Sequence, residues 1–118
     1  MDLKSKKIKI ILSSGAREVF EYLNRESINS KIEFSILKSV RQKTELIKQN
    51  PHYGNPISKK LIPKEYKKKY SITNLFRIEL PNHWRMLYTL TEGETQIEII
   101  AFVLEIMSHK KYDKFFGY

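Results

Sequence analysis

The chain has 118 residues, a formal net charge of +9, 41% hydrophobic residues and no cysteine. This length fits one domain, so we expect residues 1–118 to form a single folded unit. The composition excludes disulfide bonds and thiolate chemistry, and no apolar run approaches the ~20 residues that a membrane helix needs. The amino terminus lacks the pattern of a secretory signal, so we interpret the protein as cytoplasmic, with no contact to membranes.

The first half carries the periodicities of a strand and two helices. The Ile-rich segment 7–12 predicts a short strand, and Ser13-Ser14-Gly15 then offers a cap for a first helix. Ser30, with Glu33 three residues later, matches a capping box and predicts the start of a second helix. Asn50-Pro51 ends this helix, because the residue before a proline avoids the helical conformation. The predicted apolar faces are Ala16, Val19, Phe20 and Leu23 in the first helix, and Ile32, Ile36, Val40 and Ile47 in the second.

A long connector, His52 to Tyr70, holds the densest positive charge. Residues 1–76 carry 17 Lys and Arg against seven Asp and Glu, whereas residues 77–118 carry five against six. We name the lysines of the connector the lysine block; they are Lys59, Lys60, Lys64, Lys67, Lys68 and Lys69. Concentrated positive charge favours a polyanion, so we predict nucleic-acid binding here, with Tyr66 and Tyr70 available for stacking or for inward packing. The alternative is a lysine-rich solvated surface.

The second half alternates with a period of two and predicts three strands. Residues 76–80 and 84–90 alternate around the turn at 81–83, a second turn falls at 91–94, and residues 96–107 form a nearly continuous apolar strand. The order strand, helix, helix, three strands predicts an α+β domain. We expect an N-terminal strand and a two-helix hairpin packed on one face of a mainly antiparallel, curved sheet.

The register of the first hairpin places charged side chains together. If Leu80 pairs with Trp84, then Arg77, Glu79 and Arg85 share the face that points away from the core. The predicted end of the last strand, Ser108-His109-Lys110-Lys111-Tyr112, adds an imidazole, two ammonium groups and a phenol. We expect these groups to converge on this face if that strand neighbours the hairpin.

This set of groups suits cleavage of a phosphodiester without a metal. The chemistry needs a base, a cation that holds the charge of the transition state, and an acid for the leaving oxygen. Three histidines without paired spacing predict no metal site, and nothing in the sequence calls for a cofactor. The alternative is a surface ion pair between Glu79 and Arg85, worth under ~1 kcal/mol.

Three segments of the second half resemble the RelE/ParE toxin superfamily. They are Asn74-Leu75-Phe76-Arg77-Ile78-Glu79-Leu80, Trp84-Arg85-Met86-Leu87-Tyr88 and residues 103–113, which end in His-Lys-Lys-Tyr-Asp. The order of the predicted elements is similar as well. The resemblance implies a type II toxin with a RelE/ParE-like fold that an antitoxin silences. Members similar to RelE are mRNA endonucleases (mRNA interferases) that cut at the ribosomal A site without metal, whereas members similar to ParE poison DNA gyrase.

The resemblance also implies roles for individual residues. Arg85 matches the arginine that stabilises the transition state. Arg77 and Glu79 fall where RelE-type nucleases carry two lysines, one of them the base. Arg77 keeps the positive charge of the family position, whereas Glu79 reverses it. Since a glutamate base does occur in related nuclease toxins, Glu79 remains a candidate base.

The carboxyl-terminal positions depart further from the family pattern. Lys110, with His109 beside it, falls where the family has an arginine that acts as acid or charge stabiliser. Phe116 aligns best with the tyrosine that stacks on a base, with Tyr112 and Tyr118 as substitutes. These departures keep a second interpretation open, in which the chain binds gyrase, an antitoxin or nucleic acid without cutting RNA. The sequence does not fix the oligomeric state.

Overall fold

A mixed five-stranded sheet forms the centre of the protein, which we describe from a computed structural model for residues 7–93 and 98–117. The strand order is β1-β5-β4-β3-β2, with β1 parallel to β5 and the other neighbours antiparallel. The elements in chain order are β1 (Lys7–Leu12), α1 (Ser14–Glu26), α2 (Lys31–Gln49), β2 (Asn55–Pro56), α3 (Lys64–Tyr70), β3 (Phe76–Leu80), β4 (Trp84–Glu92), β5 (Glu98–Met107) and α4 (His109–Phe116). Within these residues no helix combines the length and apolarity required to cross a membrane.

The predicted α+β class, β1 and both long helices are confirmed. The Ser13 hydroxyl accepts a hydrogen bond from the Ala16 N–H at 3.0 Å and donates one to the Leu104 carbonyl at 2.7 Å. The cap of α1 therefore also ties this helix to β5. The Ser30 hydroxyl accepts from the Glu33 N–H, as the N-cap residue of a capping box does, and it donates to the Glu33 carboxylate. The prediction that Ile32 belongs to the apolar face of α2 is wrong, because this residue of the first turn is 53% exposed.

The predicted connector and the predicted end of the last strand each contain a helix. The connector from His52 to Tyr70 includes β2, a 3-10 turn and α3. The prediction that the last strand runs to Tyr112 is wrong, because β5 ends at Met107 and residues 109–112 lie in α4. Ser108 lies between the end of β5 and the start of α4. Its hydroxyl accepts a hydrogen bond from the Lys111 N–H at 3.4 Å, so Ser108 caps α4. The predicted third strand begins at Glu98, and its first two positions lie outside the described residues. Part of the predicted turn at 91–94 belongs to β4, and Glu94 lies outside the described residues.

Two apolar cores lie on opposite faces of the sheet. The first core joins α1 and α2 to the sheet; its strand residues are Phe76, Ile78, Leu80, Met86, Tyr88, Ala101, Val103 and Ile106. The second core joins α3 and α4 to the other face; its buried residues are Ile62, Tyr66, Leu75, Leu87, Leu104, Met107 and Tyr112. Burial of β5 on both faces was predicted from its apolar run and is confirmed. The face away from α1 and α2 is therefore partly covered rather than open.

Gly54 gives the first testable prediction because it lies against a fully buried ring. Its N–H donates to the Tyr88 hydroxyl at 2.9 Å, and that hydroxyl donates to the Pro51 carbonyl at 2.7 Å. A Cβ at Gly54 would lie 2.9 Å from Cε1 of Tyr88, whose ring is fully buried and stacks on Phe76. We expect Gly54→Ala to lower the free energy of unfolding by about 1–3 kcal/mol, the usual effect of overpacking, in urea denaturation.

The matched control is Gly15→Ala in the first turn of α1. A Cβ at Gly15 meets nothing within 4 Å, and alanine favours the helix, so this variant should be as stable as the wild type or more stable. Equal stability of Gly54→Ala and the wild type would contradict the packing around Tyr88.

Candidate functional site

The hairpin of β3 and β4 has the predicted register. Leu80 pairs with Trp84, Glu79 with Arg85 and Arg77 with Leu87. The turn between the strands places Asn82 and His83 in the left-handed conformation, with φ of 59° and 62°. Since Leu87 belongs to the second core, the three charged side chains lie on the face that carries α3 and α4.

The two arginines of the hairpin contact both Glu79 and the ring of Tyr112. One Glu79 oxygen lies 3.2 Å from Nε of Arg77, and the other lies 2.9 Å from Nη1 of Arg85. Nη1 of Arg77 donates to the Tyr112 hydroxyl at 3.1 Å. Both guanidinium carbons lie over the Tyr112 ring, 5.8 Å from its centroid for Arg77 and 5.7 Å for Arg85. We name Arg77, Glu79, Arg85 and Tyr112 the arginine cluster.

Burial differs among these side chains and fixes Arg85 most firmly. The Arg85 side chain is 15% exposed, against 34% for Arg77 and 51% for Glu79. Nη1 of Arg85 also donates to the Trp84 carbonyl at 3.2 Å. A largely buried guanidinium interacts more strongly with an anion than an exposed one, because less water screens it. Arg85 is thus the cation of this face that is best placed to hold a developing negative charge.

The carboxyl-terminal candidates occupy different places around the arginine cluster. Tyr112 is 4% exposed and lies beneath the two arginines. Phe116, the best match to the tyrosine that stacks on a base, lies against Tyr112 with their ring centroids 4.4 Å apart, so each ring covers one face of the other. Tyr118 lies outside the described residues. Lys110 is exposed on α4. His109 is the first residue of α4, and its side chain lies outside the described residues.

Sequence reasoning missed Glu105, and its contact with Lys111, on the same face as the arginine cluster. Nζ of Lys111 lies 3.9 Å from Oε2 of Glu105, whose side chain is 22% exposed. Burial raises the pKa of the Glu105 carboxyl, and the nearby Lys111 and Lys69 oppose that rise. The available signal was a carboxylate within an otherwise apolar strand. This signal does not identify Lys111 as the partner of Glu105, because the sequence does not predict α4, the helix that brings Lys111 back to the sheet.

The lysine block lies on the same side of the sheet as the arginine cluster. Its six members are exposed on the 3-10 turn and α3, while Tyr66 is buried in the second core. Tyr70 packs edge-on against Phe102 at 5.3 Å, so both tyrosines pack inward. A groove of about 670 Å³ separates α3 from α4, with Lys64 on one wall and Lys111 and Lys114 on the other. The cations of two helices therefore flank one channel.

The described residues contain no group of three His, Asp or Glu side chains that could hold a metal ion. Comparison of the chain with protein-family models, with curated proteins and with solved structures finds no match.

Proposed function

We propose that this protein is a type II toxin similar to RelE, with a RelE/ParE-like fold, which cuts mRNA on the ribosome without a metal. The observation that carries the proposal is the arginine cluster: two guanidinium groups meet at one carboxylate on a face that lysines border. In the reaction the 2′-hydroxyl attacks the neighbouring phosphorus, and charge accumulates on the phosphoryl oxygens. Planar guanidinium groups match such oxygens in bidentate geometry, and preorganised cations lower the barrier.

Each member of the arginine cluster has a role in this proposal. Arg85, held by burial and by two acceptors, stabilises the transition state. Arg77 orients the phosphate from the side of Tyr112. Both oxygens of Glu79 contact guanidinium groups, so in the resting protein its carboxylate stands where the phosphate binds and keeps the two arginines apart at a suitable spacing.

The lysines of α3 supply the contact with RNA in this proposal and give the second prediction. We expect the triple variant Lys67→Gln, Lys68→Gln, Lys69→Gln to bind single-stranded RNA more weakly. The slope of log K against log salt concentration should fall by about 2, since each phosphate contact on a single strand contributes ~0.7. Fluorescence anisotropy over a salt series measures both quantities.

The control for this experiment removes the same charge from the opposite face. Lys31, Lys38 and Lys48 are exposed on α2, which packs on the other side of the sheet. The corresponding triple glutamine variant should keep nearly the wild-type slope. Equal losses in the two triple variants would contradict an RNA surface on α3 and would indicate a general effect of net charge.

A second candidate function follows from the ion pairs that Glu79 forms within the arginine cluster. Glu79 already forms an ion pair with each of Arg77 and Arg85, and contacts of this kind also suit a protein that binds a partner without cutting RNA. In that case the chain is a ParE-like gyrase poison, or a relative that binds an antitoxin or nucleic acid. Inhibition of gyrase supercoiling by the purified protein, together with intact mRNA, would favour this alternative.

The decisive assay uses purified translating ribosomes and a defined mRNA. We expect cuts within the codon at the A site when the protein is added, and none in the same mRNA without ribosomes. An acidic partner protein should abolish the cuts, as the resemblance to antitoxin-controlled toxins implies. Uncut mRNA on actively translating ribosomes would reject the nuclease proposal.

A further inference from the structure

Glu105 and Lys111 lie on the same face of the sheet as Arg85. Glu105 pairs with Leu87, and Arg85 pairs with Met107, so Glu105 is a diagonal neighbour of Arg85 across β4 and β5. Diagonal positions in an antiparallel pair lie about 7–8 Å apart, within reach of long side chains. Glu105 therefore lies one diagonal step from Arg85 on the same face of the sheet, with Lys111 of α4 beside its carboxylate.

The surroundings of Glu105 keep its carboxylate partly out of water. Lys111 approaches from α4, while Lys69, Glu65 and Tyr66 face it from α3. Burial raises the pKa of the Glu105 carboxyl. A carboxylate whose pKa is raised by burial is a stronger base than an exposed one.

Glu105 differs from Glu79 in the number and distance of the cations that contact its carboxylate. The Glu79 oxygens lie 3.2 and 2.9 Å from guanidinium nitrogens, which are permanently charged donors. The contact between Glu105 and Lys111 is longer, at 3.9 Å. Lys111 is itself 58% exposed and forms part of the wall of the groove between α3 and α4, so it faces both the carboxylate and the channel.

We propose that Glu105 and Lys111 transfer the protons in the RNA cleavage, an inference that rests on the proposed nuclease function. The Glu105 carboxylate takes the proton of the 2′-hydroxyl while that oxygen bonds to phosphorus. The bond from phosphorus to the 5′-oxygen breaks, and this oxygen takes a proton from the Lys111 ammonium. The products are a 2′,3′-cyclic phosphate and a 5′-hydroxyl. A net proton transfer from Glu105 to Lys111 then restores both groups.

The first test replaces Glu105 with its isosteric amide and is the third prediction. Glu105→Gln should cut ribosome-bound mRNA at least about 100-fold more slowly in single-turnover assays, the usual share of a general base, with ribosome binding retained. Glu105→Asp should recover part of the rate. The wild-type rate should fall at acid pH as Glu105 is protonated, and this fall should vanish in Glu105→Gln. The matched control is Glu45→Gln on α2, which should behave as the wild type.

The second test examines Lys111 with a modified substrate. Lys111→Met should cut ordinary mRNA slowly but should approach the wild-type rate when sulfur replaces the 5′-oxygen at the scissile bond, because a thiolate leaves without an acid. A residue that only holds α4 in place would show no such rescue. This test needs no variant at Glu105, so it decides the assignment even if Glu105→Gln fails to fold.

The outcomes separate this inference from the proposed function. Fast cutting by Glu105→Gln, or Lys111→Met without sulfur rescue, would overturn the assignment of the proton-transfer pair and leave the nuclease proposal intact. A wild-type protein that does not cut mRNA on translating ribosomes would overturn both.

Discussion

Replacement of Arg85 by alanine should lower the rate of mRNA cleavage by about 10²–10³-fold, the usual loss when one preorganised charge stabiliser is removed. The expectation follows from its 15% exposure and from its contacts with Glu79 and the Trp84 carbonyl, which fix the guanidinium before substrate binds. Single-turnover cleavage on translating ribosomes, with ribosome binding measured in parallel, separates a loss of chemistry from a loss of affinity.

Two further variants control for the Arg85 experiment. Arg85→Lys keeps the charge but loses the planar fork, so it should recover only part of the rate. Arg41→Ala removes an exposed arginine from α2 on the opposite face and should cut as fast as the wild type. If Arg85→Ala retained full activity, the arginine cluster would have no part in catalysis.

Tyr112→Ala should have the largest effect on stability, a loss of about 3–5 kcal/mol, as for other large aromatic truncations in a core. Tyr112 is 4% exposed, stacks on Phe116 and lies under both arginines. Its loss should detach α4 from the sheet and leave Arg77 and Arg85 without a fixed geometry. Urea denaturation measures the loss of stability, and the cleavage assay should show no activity.

Tyr112→Phe separates the ring from the hydroxyl. The ring contacts remain, and the lost hydrogen bond from Arg77 should cost about 1 kcal/mol. Cleavage should fall only modestly, because the ion pair with Glu79 still orients Arg77. A Tyr112→Ala protein as stable as the wild type would contradict the place of Tyr112 in the second core.

The hairpin and the long helices were predictable because their patterns are long and unambiguous. The five residues of β3 alternate between apolar and charged, and β4 pairs with them. A shift of one residue in this pairing would turn Arg77 or Arg85 into the first core, so the pattern specifies the register. Short helices carry no such signal. α3 buries Tyr66 and partly buries Tyr70, and α4 shows Tyr112 and Phe116 at the same spacing of four. One such pair is too little to establish a helical period.

The Glu105 part of the site could not be read from the sequence for a different reason. Leu87 pairs with Glu105, but Tyr88 pairs with Val103, so Leu104 is an extra residue on β5. This bulge reverses the alternation, which lets Val103 enter the first core and Leu104 the second. Because almost every residue of this strand is apolar, the sequence is compatible with either set of alternate residues facing the first core. The face of Glu105 is therefore set by the pairing with β4, which only the fold supplies.

The most direct measurement of the central claim maps new RNA ends after the protein is expressed in growing cells. Ligation chemistry selective for 5′-hydroxyl ends should reveal cuts at a fixed position within codons of translated messages. These ends should appear with the wild type and with Arg41→Ala and be absent with Arg85→Ala. Expression of wild-type protein without codon-phased 5′-hydroxyl ends, or the same ends with Arg85→Ala, would contradict the account.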